Sequence, residues 1–125
     1  MKSQGRILIV DDEAEYVEII RIRLETNGFE VTTAFSGEEG LTKVESGTFD
    51  VIILDVMMPQ VNGFQVLKRL RTLPSTQHTP VIMLTARGES KFIMKAQEMG
   101  VTDYIIKSDS AALLTAVKRH LTMRH

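Results

Sequence analysis

The chain has 125 residues, which suits one domain that buries roughly two-thirds of its unfolded surface, with a core over about 6–121. Its 15 basic and 16 acidic side chains give a formal charge of -1 spread along the chain, so there is no electrostatic footprint for nucleic acid or an anionic membrane. Cysteine is absent, which excludes disulfides and thiolate metal sites and fits a reducing, cytoplasmic setting; "MKSQGR" lacks the apolar core of a signal peptide, and no run approaches the roughly 20 residues of a membrane-spanning helix.

Residues 7–10 form a short apolar run that ends on Asp11 and Asp12. A helix is predicted over about 13–27, with Val17, Ile20 and Leu24 on one stripe and Gly28 suited to a left-handed cap. "EVTTA", residues 30–34, reads as a more polar strand near a sheet edge. Ser36, with Glu39 three residues on, has the spacing of a capping box for a second helix closed by Gly47. Residues 51–54 are apolar on both faces and stop on Asp55. The Met57-Met58 pair that follows is read as packing or loop contacts. A third helix runs from near Gly63 to Leu73 with Val66, Leu67 and Leu70 inward, ended by Pro74. Residues 81–84 run into Thr85, a fourth helix covers about 90–99 and stops at Gly100, and residues 104–106 run into Lys107. Ser110 is the expected N-cap of the last helix, which carries Leu113, Leu114, Val117 and Leu121. His78, His120 and His125 show no metal spacing and read as surface residues.

Apolar runs without alternation are strands buried on both faces, and strand-helix order repeated five times predicts an α/β chain with a parallel sheet covered by helices. The carboxyl ends of such strands share one edge. Asp11, Asp12 and Asp55 would therefore gather there, an arrangement that repulsion disfavours unless a cation binds or a carboxyl protonates. Oxygen-only ligands suit Mg²⁺. Lys107 and Thr85 supply a charge and a hydroxyl for phosphoryl oxygens, and Asp55 can accept a phosphoryl group as an acyl phosphate.

The set Asp11-Asp12, "LDVMMPQVNG" around Asp55, "LTA" at Thr85 and "DYIIK" ending at Lys107 resembles the receiver domain of two-component response regulators over nearly the whole chain. The resemblance implies a flavodoxin-like, doubly wound five-stranded parallel sheet in the order 2-1-3-4-5 with five helices. It implies that Asp55 takes a phosphoryl group from a histidine kinase or phosphotransfer protein with Mg²⁺, and that the domain then switches a surface for a downstream target protein. By the same carry-over, Asp12, Asp55 and the Met57 carbonyl hold the ion, Asp11 acts mostly through water, and Thr85 and Lys107 grip the phosphoryl oxygens. Tyr104 matches the aromatic switch position, with room to turn inward when Thr85 moves. Such a domain is a phosphoacceptor that assists its own phosphorylation and dephosphorylation, not an enzyme in the turnover sense. Met57 and Arg87 stand where family members differ in phosphoryl lifetime.

Where receivers usually place proline after the lysine, this chain has Ser108, and a trans Lys107-Ser108 bond is expected because a non-proline cis bond costs about 2.5–4 kcal/mol. Ile19 and Ile22 fall opposite the inward stripe of the first helix and are expected to form the docking patch for the phosphodonor protein. A flavodoxin would need a hydroxyl- and glycine-rich loop where Asp11-Asp12-Glu13 stands, and a haloacid-dehalogenase-type phosphatase a second aspartate where Met57 stands. The remaining rival is a receiver-like binding module that signals without phosphorylation. Both a stand-alone, chemotaxis-type receiver and a receiver from a larger regulator fit the sequence.

Overall fold

A computed structural model describes residues 3–86 and 90–122. Five strands, β1 (Arg6–Val10), β2 (Glu30–Ala34), β3 (Val51–Asp55), β4 (Val81–Thr85) and β5 (Asp103–Ile106), alternate with α1 (Ala14–Thr26), α2 (Gly37–Ser46), α3 (Gly63–Thr72), α4 (Ser90–Glu98) and α5 (Ser110–Thr122). The sheet is parallel throughout in the order β2-β1-β3-β4-β5. This is the flavodoxin-like arrangement expected, with the polar β2 at an edge.

Side chains along a strand point to opposite faces in turn, so each buried strand feeds two cores. Leu8 and Val10 of β1, with Ile52 and Leu54 of β3, pack under Val44 of α2, Phe64, Leu67 and Leu70 of α3 and Ala96 of α4. Ile7, Ile9, Val51 and Ile53 face the other way, onto Val17, Ile20 and Leu24 of α1 and Leu113, Val117 and Leu121 of α5. Burial on both faces is the physical reason these strands carry no alternating polar residues.

Local signals set the helix ends. Gly28, at φ +91°, follows α1 in the left-handed region, and its N–H donates to the Glu25 carbonyl at 3.0 Å. The Ser36 hydroxyl accepts from the Glu39 N–H at 3.1 Å as expected, but Glu39 reaches one residue further back, to the Phe35 N–H at 2.6 Å, so the reciprocal arm of the box is displaced. The complete capping box belongs to Asn62 and Gln65 at the start of α3, where Asn62 Oδ1 accepts from the Gln65 N–H at 3.0 Å and Gln65 Oε1 from the Asn62 N–H at 2.8 Å. At α5 the N-cap is Asp109 rather than Ser110. The turn that donates the Asp109 N–H to the Ile106 carbonyl leaves Asp109 half inside the helix, where its Oδ1 accepts from the Ala112 N–H at 3.0 Å. Ser110 Oγ accepts instead from Arg23 of α1 at 3.0 Å.

Candidate functional site: an acidic pocket at the carboxyl edge

Strand order reverses between β1 and the central strand β3, and such a switch point opens a crevice at the carboxyl ends. Asp11 and Asp12 leave β1 into this crevice and Asp55 ends β3 beside them. One carboxylate oxygen from each of the three lies within 4.8 Å of the others. Asp11 and Asp55 are buried and Asp12 is exposed. The donor set is all oxygen and partly open, which fits a hard divalent ion with retained waters.

Thr85 ends β4, one strand over, and Lys107 follows β5. A cavity of about 340 Å³ is lined by Glu13, Asp55, Met57, Thr85, Phe92 and Lys107 among others. Lys107 is positioned by its own N–H, which donates to the Thr85 carbonyl at 2.8 Å and closes the strand without a proline. No cis peptide is present among the described residues, so the Lys107-Ser108 bond is trans as expected. The ammonium lies 2.7 Å from Asp11 Oδ2 and 3.5 Å from Asp55 Oδ1, donates to Glu13 Oε1, and sits 4.9 Å from the centroid of the Tyr16 ring.

Electrostatics follow from burial. Burial, with the charge of Asp11 alongside, pushes the Asp55 carboxyl up to about 7 against the opposing pull of Lys107. Burial raises Asp11 as well, although the close contact with Lys107 and the hydrogen bond from the Glu13 N–H work against it. For Lys107 burial alone would lower the ammonium; the close contact with Asp11, the hydrogen bond to Glu13 and the charges of Asp55 and Asp11 overturn that, and it is held well above the ordinary lysine range. Three carboxylates share one lysine, so the pocket is short of positive charge.

The residues singled out in the sequence that fall among the described ones have definite places. Asp11 also shapes the turn into α1, since its Oδ1 accepts from the Glu13 N–H at 2.9 Å in an Asx turn. Its Oδ2 is buried and meets Lys107 as an ion pair at 2.7 Å, outside hydrogen-bond geometry. Met58 packs into the core while Met57 is exposed. Tyr104 pairs with Met83 of β4, so its half-buried side chain shares a sheet face with Thr85 two residues on. Its hydroxyl is buried and meets no hydrogen-bond partner among the described residues. Ile19 and Ile22 are 63% and 52% exposed, and with Leu114 of α5 they border one shallow groove. His120 is half-buried with Nε2 3.4 Å from Asp103 Oδ2, which corrects its reading as a plain surface residue; α5 runs back along β5 and brings the two together. Arg87 and His125 lie outside the described residues.

Two members of the pocket escaped the sequence reading. Glu13, the N-cap residue of α1, and Tyr16 in its first turn hold Lys107 from the start of the helix.

The fold and pocket define a doubly wound α/β domain with a carboxylate cluster and a lysine gathered at a strand-order reversal. Residues 7–118 match the response regulator receiver domain model, and the chain belongs to that family. It is 39% identical over 111 residues to the phosphate regulon transcriptional regulatory protein PhoB of Rhizobium meliloti, covering 89% of this chain and 49% of the relative. The chain spans about half the length of the curated relatives it matches. Chemotaxis protein CheY4 of Vibrio cholerae superposes with a TM-score of 0.87 at 33% identity, over 92% of this chain and 97% of that one. Response regulator TrrA of Thermotoga maritima, solved in complex with Mg(2+)-BeF, does so with a TM-score of 0.82 at 34% identity, over 92% and 97%. Among the described residues no helix is long and apolar enough to cross a membrane.

Proposed function

We propose that Asp55 is the phosphoacceptor of this receiver, loaded by a histidine kinase or phosphotransfer protein in the cytoplasm. The observation that carries this reading is the gathering of Asp11, Asp12 and Asp55 at one point, with Lys107 paired to Asp11 and Asp55 and Thr85 lining the same pocket as Asp55. A carboxylate oxygen of Asp55 attacks the phosphorus of a phosphohistidine. The new O–P bond forms as the P–N bond breaks, and the electron pair leaves on the imidazole nitrogen, which takes a proton from solvent. Asp12, Asp55 and the Met57 carbonyl are the groups that would hold Mg²⁺, with Asp11 acting through water. When bound, the ion supplies charge neutralisation for the phosphoryl oxygens. Lys107 takes one phosphoryl oxygen by charge and Thr85 donates its hydroxyl to another. The same groups assist hydrolysis of the acyl phosphate by orienting the oxygens that water must approach.

The output is a change of binding surface. Phosphorylation adds roughly two negative charges and new acceptor oxygens, which draw Thr85 toward Asp55. Thr85 and Tyr104 share a sheet face, so movement of one changes the room for the other. The unpaired Tyr104 hydroxyl carries a desolvation cost of about 1–3 kcal/mol where it lies, which keeps a second position of the ring accessible. A downstream target protein then reads the face formed by α4, β5 and α5. Ile19 and Ile22, with Leu114 beside them, form the docking patch for the phosphodonor protein.

Intact mass after incubation with a competent kinase, ATP and Mg²⁺ tests the assignment. A phosphoryl-sized gain is expected in the wild type and absent in Asp55→Asn and in the chelated sample. No gain from several kinases that load other receivers would instead favour a binding module that works without phosphorylation.

A further inference from the structure

The Lys107 ammonium is surrounded. Asp11 Oδ2 lies 2.7 Å away, Asp55 Oδ1 3.5 Å away, Glu13 Oε1 accepts a hydrogen bond, and the Tyr16 ring forms a floor at 4.9 Å. An ammonium has three N–H donors. One is committed to Glu13, and Asp11 and Asp55 hold the ammonium by charge, so a phosphoryl group forming on Asp55 would compete for a cation already in use.

The two carboxylates differ in what release costs them. Asp11 is fully buried, its Oδ1 is taken by the Glu13 N–H and its Oδ2 has only the charge of the lysine against it, so losing the lysine would leave a dry carboxylate without a counter-charge. The Glu13 side chain is 62% exposed, and water replaces the lysine there at little cost. Tyr16 packs its ring against the core beneath α1 and α5.

We propose that Glu13 is a releasable tether for Lys107, a positioning residue that draws the ammonium away from Asp55 in the resting state and gives it up to the phosphoryl group. The strength of the Glu13 contact is then subtracted from the affinity for the phosphorylated state, so Glu13 sets how firmly that state is held. This rests on Asp55 being the phosphoacceptor.

The test is a double-mutant cycle read by binding of beryllofluoride, a phosphoryl mimic, at saturating Mg²⁺. Tyrosine fluorescence can follow it, since the chain has two tyrosines and no tryptophan. Glu13→Gln is expected to bind the mimic about twofold to fivefold more tightly, the range of a half-exposed ion pair. In a Lys107→Ala background the same substitution is expected to change nothing. Unchanged or weaker binding by Glu13→Gln overturns the proposal. So does equal tightening with and without Lys107, which would make Glu13 only a source of repulsion. If wild type fails to bind the mimic with Mg²⁺, the phosphoacceptor reading falls first and the tether with it; wild-type binding with an unresponsive Glu13→Gln sinks the tether alone.

Discussion

Asp55 and Lys107 face each other with 3.5 Å between Oδ1 and Nζ, beyond a good hydrogen bond and well within the reach of charge. The lysine gives its shorter contact to Asp11, and this leaves Asp55 under-compensated.

A pH dependence follows for the metal-free protein. The folded Asp55 carboxyl is raised from 3.8 to about 7, so its proton is held more tightly folded than unfolded. Its contribution to stability is complete below 3.8 and is lost as pH rises through about 7, on the order of 4 kcal/mol. Thermal unfolding with chelator should show Tm falling across that window, with Mg²⁺ restoring it and binding more tightly as pH rises. Asp55→Asn should flatten much of the slope, with Asp11 responsible for what remains. Parallel wild-type and Asp55→Asn curves would refute the assignment.

Ile19→Ser changes an exposed side chain, so stability should stay within about 0.5 kcal/mol. Phosphotransfer from the cognate protein donor should fall by about tenfold, the scale of one interface anchor. Loading from a small donor such as phosphoramidate should be unaltered. Transfer at the wild-type rate from the protein donor would remove Ile19 from the docking patch.

Gly63 opens α3 where a Cβ would stand 2.1 Å from the Asp55 carbonyl oxygen and 2.9 Å from Val56 Cα. Both are backbone atoms and neither can rotate away. Gly63→Ala is therefore expected to lose about 3 kcal/mol in denaturant unfolding. Because the strain falls on the Asp55 peptide itself, the folded fraction should also load phosphoryl more slowly. A fully stable, fully active Gly63→Ala would contradict this packing.

Gln60, in the loop after β3, sits at φ 65°, a left-handed conformation costly for a residue with a Cβ. Gln60→Gly should raise stability by up to about 1 kcal/mol, the relief exceeding the added chain entropy. Gln60→Val should lower it by at least about 1 kcal/mol, because a branched Cβ fits that region worst. Equal stability of the two variants would show that the loop carries no such strain.

Much of this architecture was readable before any coordinates because it depends on patterns local in the chain. Unbroken apolar runs mark strands covered on both sides, Gly28 and Pro74 stop helices through backbone geometry, and a parallel sheet must bring Asp11, Asp12, Asp55, Thr85 and Lys107 to one edge. Those constraints act within a few residues or through the topology alone, so the fold and the convergence of these five residues follow from them. The fine assignments did not follow. Whether Asp109 or Ser110 caps α5 depends on a turn set by β5, and both side chains are capable caps. Which carboxylate holds Lys107 depends on burial and competing charges in three dimensions, and the tertiary structure settles it in favour of Asp11 and Glu13 over Asp55. Arg71 makes the same point at the far end of the sheet: nothing nearby in sequence foretells that its guanidinium donates to the carbonyls of Thr76, Thr79 and Gly100. A side chain's type limits the partners it can accept, but only packing decides which of them is within reach.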